Sequence, residues 1–164
     1  MAFLQVSRKV DYALRAMIHL AKEESADRAC TVAEIASRER IPRQFLEKIV
    51  QQLIHAGLMR SRRGPHGGYV LGRSAEQMSF RDVIEAVEGP ISLNVCVGEH
   101  ADCFLLGACG MSRVWQEGQR RVMELFENTT IADVRRPPGG FLGPGAEYRQ
   151  AGAVEGHRKD HHDT

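Results

Sequence analysis

A chain of 164 residues, 43% apolar and 26% charged, can bury the core of one soluble domain with an appended arm or tail. It has no apolar run of membrane-spanning length, and the apolar stretch before Arg8 and Lys9 is too short for a secretory leader, so the expectation is a cytoplasmic protein. The net charge of +1 is uninformative, but residues 1–76 carry 13 Lys and Arg against 8 Asp and Glu, and residues 77–164 carry 9 against 13. A basic half joined to an acidic half suggests that the first half meets a polyanion.

The elements follow in chain order. Val10, Ala13, Leu14, Met17, Leu20 and Ala21 recur at helical spacing, which predicts a first helix over 7–22 with Ser7 as its cap. After a polar connector, Thr31 and Glu34 have the spacing of a capping box and open a short second helix that stops near Arg40. Pro42 suits the first turn of a third helix, which is expected to place Ile41, Phe45, Leu46, Ile49, Val50, Leu53 and Ile54 on one apolar face and to end at Gly57. Two short strand-like runs, 58–61 and 69–71, then flank a loop rich in Arg and Gly, which reads as a β-hairpin.

Three helices and a basic hairpin make a winged helix-turn-helix, and the expected fold class is mainly α with that hairpin as the wing. The plainer alternative is three packed helices with a surface hairpin. Against it stand the short-helix, short-turn, longer-helix pattern of 31–56 and the cations Arg62, Arg63 and His66 at the hairpin tip. A recognition helix presents its first residues to base edges in the major groove. Here these are Arg43, which can pair with guanine, Gln44 with adenine, and Glu47, which can accept from cytosine. Lys48 and Arg60 suit phosphates, and Arg63 suits a narrow minor groove. Each of these taken alone is equally readable as a solvated surface charge.

Beyond the hairpin, Ser79 and Asp82 form a second capping box for a helix through Val83, Ile84, Ala86 and Val87 that ends at Gly89-Pro90. Residues 91–110 have no helical period. Ser112 is expected to cap a long helix that carries Val114, Trp115, Gly118, Val122, Leu125 and Phe126 on one face, to be closed by Asn128, and to serve as a dimerisation helix; packing within its own chain is the alternative. A short turn follows over 130–134. The expected domain plan is a winged helix-turn-helix region over 1–76, a cysteine loop and dimerisation helix over 77–134, and a disordered tail over 135–164, rich in Gly, Pro and His.

Of four cysteines, Cys96, Cys103 and Cys109 fall within 14 residues, and Cys30 lies apart. Without a secretory leader a disulfide framework is not expected. The intervals of six and five residues do not match the short pairs of zinc sites. Thiolates on one loop can wrap an iron–sulfur cluster, but spacing alone leaves open three ordinary loop cysteines. A fourth corner could come from Asp11, His100 or a small molecule. No nucleophile–base pair is apparent, and Gly64 to Gly68 lacks the strand-to-helix setting of a phosphate loop, so an enzyme is not expected.

Several stretches carry a resemblance: Val10-Asp11-Tyr12-Ala13-Leu14-Arg15, Ile41-Pro42 with Phe45-Leu46-Glu47, the wing Arg63-Gly64-Pro65 with Gly67-Gly68-Tyr69, and the three-cysteine loop. Over residues 7–134 the chain resembles the iron–sulfur winged-helix repressors that include IscR, NsrR and RirA, and it looks most like the NsrR type. The resemblance implies a homodimer held by the long helix and bound to an operator in double-stranded DNA. It implies a 2Fe–2S or 4Fe–4S cluster on Cys96, Cys103 and Cys109, sensing nitric oxide, iron or redox state. It places base contacts on Gln44 and Glu47, and the minor-groove arginine on Arg63. Where IscR-like members have a histidine three residues past the third cysteine, this chain has Ser112. Asp11 matches the position of the aspartate that NsrR-like members contribute from the partner subunit; as a plain helix residue it would simply favour the helix dipole. The alternative function is a cluster-free thiol redox switch of the same fold.

Overall fold

The computed structural model describes residues 6–97, 103 and 108–135. The tail predicted over 135–164 lies outside the described residues except for Arg135, which pairs with Glu24 and Glu76, and His100 also lies outside them.

Helix α1 (Arg8–Glu23) is the spine of the fold. Ser7 caps it, accepting a hydrogen bond from Val10 N at 3.2 Å, and Val10, Ala13, Ala16, Met17, Leu20 and Ala21 are all buried. Against α1 pack α2 (Val32–Glu39), α3 (Arg43–His55), α4 (Phe80–Glu88) and the short α6 (Ile131–Val134). Small residues at Ala13, Ala16 and Ala21 let these helices approach the spine closely. One buried cluster runs from Val10 through Leu46, Leu53 and Met59 to Met78, Val83 and Ile131, so the core is continuous across residue 76.

The predicted helix starts are found, with local differences. Thr31 caps α2 by accepting from Glu34 N at 3.2 Å, but the reciprocal half of the box is missing, because the Glu34 carboxylate accepts from Arg28 instead. Arg40 ends α2 in the left-handed region (φ 53°) and turns the chain into α3. Pro42 lies one residue outside α3, as its N-cap, and the helix closes at Gly57 (φ 70°). The expected apolar face of α3 has an exception: Leu46, Ile49, Val50 and Leu53 are buried, but Phe45 is 61% exposed.

Strands β1 (Met59–Arg62) and β2 (Gly68–Leu71) form an antiparallel hairpin in the register Met59 to Leu71 and Arg62 to Gly68. The turn between them demands glycine at 67, where a Cβ would lie 2.6 Å from the Arg62 carbonyl oxygen. The hairpin is tied to the helices by a bridge in which Cys30 N donates to Tyr69 O at 3.0 Å and Tyr69 N to Cys30 O at 2.8 Å.

Ser79 and Thr130 each make a full capping box, with Asp82 and Asp133. These two caps form a bridge with each other: Phe80 N donates to Thr129 O and Ile131 N to Met78 O, both at 2.8 Å. The bridge brings the end of α5 (Ser112–Asn128) back onto the core, where Phe126 packs on Phe80 with ring centroids 6.2 Å apart. Ser112 is not the cap of α5; Met111 holds that position, and the Ser112 hydroxyl donates to Cys109 O at 2.8 Å. No residue of α5 is fully buried in the single chain.

Candidate nucleic-acid interface and cysteine pocket

The first turns of α3 carry Arg43, Gln44, Phe45, Glu47 and Lys48, all exposed, on a helix whose opposite face is locked into the core. The buried Leu46, Ile49, Val50 and Leu53 therefore set the direction in which the polar residues point. Arg43 Nε donates to the Glu47 carboxylate at 2.8 Å, one turn along. That pair is exposed, so it orders the two side chains with little net stabilisation.

At the wing, Arg63 is exposed immediately after β1. Arg62, expected at the tip with it, has a different place. Its guanidinium bonds the Asp27 carboxylate at 2.9 Å and the Asp27 carbonyl at 2.6 Å, tying the hairpin to the connector after α1. Asp27 presents both groups from a left-handed backbone conformation (φ 47°). Arg60 is exposed but lines a groove of about 280 Å³ with Glu24, Asp27, Arg28 and Arg73, none of them on α3. Sequence reading missed Asp27, because its partner is 35 residues away and no local pattern links them.

Cys96, Cys103 and Cys109 come together. All three line one pocket of about 100 Å³ at the start of α5, with Val95, Met111 and Trp115 as its apolar wall. All three are partly exposed free thiols. The Ser112 hydroxyl and its N–H, the latter at 3.2 Å, both donate to Cys109 O and fix the last cysteine against the first turn of α5. Among the described residues no three His, Cys, Asp or Glu side chains converge tightly enough to grip one metal ion. The donor set instead suits thiolates spread around a small inorganic group, three soft ligands within an apolar shell. Asp11 is not part of this pocket; it is exposed on α1 and pairs with Arg15 at 3.3 Å.

Cys30 is a different kind of cysteine. It is fully buried between the wing and α2, and burial, reinforced by Glu34, pushes its thiol pKa up. Arg28 donates to the Cys30 Sγ at 4.0 Å while its guanidinium also pairs with Glu23 and Glu34.

Three helices with a capped two-helix turn, a protruding hairpin and exposed polar residues on the second helix of that turn define a winged helix-turn-helix DNA-binding regulator. The comparisons give the family: the chain matches the model described as "Rrf2: Iron-dependent Transcriptional regulator" over residues 6–137, and it belongs to that family. It is 33% identical over 136 residues to an rrf2-like HTH-type transcriptional regulator of Rhodobacter capsulatus, a match covering 79% of this chain and 91% of the relative. It is 32% identical over 133 residues to the HTH-type transcriptional regulator IscR of Photobacterium profundum, covering 81% of this chain and 76% of that one. Among solved structures it resembles CymR, titled the global cysteine regulator of B. subtilis, at 31% identity with a TM-score of 0.68, covering 81% of this chain and 97% of that one. It resembles an oxidized form of Staphylococcus aureus CymR at 30% identity with a TM-score of 0.64, covering 79% and 94%. Its relatives are named as transcriptional regulators; the chain is a regulator and not an enzyme.

Proposed function

We propose that this regulator is a cytoplasmic homodimeric repressor whose operator affinity is set by an iron–sulfur cluster on Cys96, Cys103 and Cys109. The observation that carries the reading is the shared pocket of these three cysteines at the head of α5. The family description as iron-dependent and the likeness to IscR support it. When bound, a 2Fe–2S or 4Fe–4S cluster supplies a centre open to oxidation, nitric oxide or iron loss. The chain's own part is to hold three thiolates beside an apolar wall and to tie Cys109 to α5. The pocket has no fourth cysteine, and Asp11 of the partner subunit is proposed as the remaining ligand. A carboxylate is a harder ligand than a thiolate and makes that corner the labile one. Among the described residues no helix is long and apolar enough to cross a membrane.

DNA is read by Arg43, Gln44 and Glu47 in the major groove and by Arg63 in the minor groove, with Lys48 and Arg60 on phosphates. On this reading residues 1–76 read DNA, and residues 77–134 sense the signal and dimerise.

A thiol redox switch of the same fold is the second reading. The pocket that would hold a cluster also gathers three thiols, and one solved relative is an oxidized form. Anaerobic purification, an absorption spectrum and an iron and sulfide count separate the two. The cluster reading expects coloured protein that Cys103→Ala renders colourless. Colourless wild-type protein whose DNA affinity changes on thiol oxidation would establish the switch instead.

A further inference from the structure

The residue that departs most from its expected place is Phe45. Helical spacing assigns it to the core, yet it is 61% exposed while Leu46 beside it is fully buried. It is on the first turn of α3, next to Gln44, and is not stacked on any ring among the described residues. A lone exposed apolar side chain is ordinary on a protein surface, but Phe45 shares a groove with Tyr12, Pro42 and Ile49.

Phe45 forms one wall of a groove of about 250 Å³ between α1 and α3, with Pro42 and Tyr12 as further apolar surface. The same groove is lined by Arg8, Lys9 and Lys48 and, among the described residues, by no carboxylate. Lys9 donates to the Val87 carbonyl, and Arg8 and Lys48 are exposed. The nearest acid on α3, Glu47, is bonded to Arg43. This lining suits a polyanion that also offers an apolar group. Duplex DNA does so at one place in the major groove, the 5-methyl group of thymine.

The geometry points to Phe45 as a specificity-determining residue that reads a thymine methyl in each half-site, its neighbouring phosphates held by Arg8 and Lys48. This rests on α3 being the recognition helix, and adds an apolar contact to the polar ones proposed for Gln44 and Glu47. It also assigns the N-terminal end of α1 to the DNA interface.

The test uses the full chain and a duplex that the wild-type protein selects from random-sequence DNA. Each thymine is replaced in turn by deoxyuridine, which removes the methyl group and keeps every hydrogen-bonding atom. Wild-type protein should lose about fourfold in affinity at one thymine position per half-site, the factor expected for burying one methyl. Phe45→Ala should bind the selected duplex more weakly, show no response to deoxyuridine at that position, and keep wild-type affinity and salt dependence on random DNA. Unchanged binding to random DNA also shows that the variant is folded. No deoxyuridine response anywhere in the wild type, or the same response in Phe45→Ala, overturns the assignment while leaving DNA binding intact. A Phe45→Ala variant whose free form changes its sedimentation state overturns it in favour of a second copy of the chain on this groove. A wild-type protein that selects no duplex overturns the recognition-helix reading as well.

Discussion

Arg63 and Lys48 are both exposed cations, but they are expected to fail differently when removed. Arg63 directly follows β1, with its neighbour Arg62 anchored to Asp27, so the hairpin delivers it from a fixed base. Arg63→Ala should lower affinity for the selected duplex by about 1–3 kcal/mol, with a much smaller effect on random DNA. Lys48→Ala should weaken binding to all sequences alike and reduce the slope of log K against log salt by about 1, both measurable by anisotropy titration. The cysteines divide in the same way. Cys96, Cys103 and Cys109 are partly exposed, and in metal-free protein they should react with a thiol reagent without unfolding, while buried Cys30 should react only in denaturant. Burial raises the Cys30 pKa above its unfolded value of about 8.5. The stability gained from keeping this thiol neutral is fully present below that value and is lost as pH rises through the folded-state pKa. Urea midpoints of wild type and Cys30→Ala should therefore converge or cross in favour of the variant as pH rises above about 8.5. A constant difference across pH 7–10 would count against this account, the pH range being set by the ordinary thiol pKa of about 8.5.

At the scale of elements, the two capping boxes are the features most open to test. Ser79 and Thr130 each satisfy the first N–H groups of a helix, and each loss to Ala should cost about 1 kcal/mol in chemical denaturation. Because the two caps also bridge each other, the double variant should depart from additivity. Caps of this kind are legible in sequence, since the donor and acceptor lie three residues apart; Ser7, Thr31 and Ser79 were all readable as helix starts for that reason. The winged fold was legible too, because periodicity and glycines fix short elements joined by short turns. Long-range partners were not. Glu34 looks like half of a capping box until Arg28 takes its carboxylate, and Ser112 looks like a cap until its hydroxyl turns to Cys109. Phe45 looks like core because spacing counts apolar residues and cannot see which one the next helix leaves uncovered. The shared pocket of Cys96, Cys103 and Cys109 was suggested by their clustering, but a ligand supplied by another subunit leaves no spacing to read within one chain.

At the scale of the molecule, α5 divides the apolar face assigned to it from sequence. Phe126 packs on Phe80 and Val122 is half-buried, but Val114 is 71% exposed and Leu125 47%. Eleven residues separate these two, about three helical turns, so they lie on one side of the helix, on the strip that the proposed dimer would cover. Leu125→Glu would place an unpaired charge in that contact, and sedimentation should show monomers of otherwise native spectrum. A dimeric Leu125→Glu protein would move the interface elsewhere. The bridge between Ser79 and Thr130 then has a mechanical meaning. It clamps one end of α5 to the root of α4, just beyond the wing, while the cysteine pocket sits at the other end. Seventeen residues make a rod about 25 Å long. Tilting such a rod by about 10° about its clamp carries the far end through about 4 Å, given the rise of 1.5 Å per residue. Read in reverse, a shift of a few ångströms where the thiols sit reaches the clamp as a small torque on the segment Met78–Phe80, and the arm that amplifies displacement in one direction multiplies force in the other.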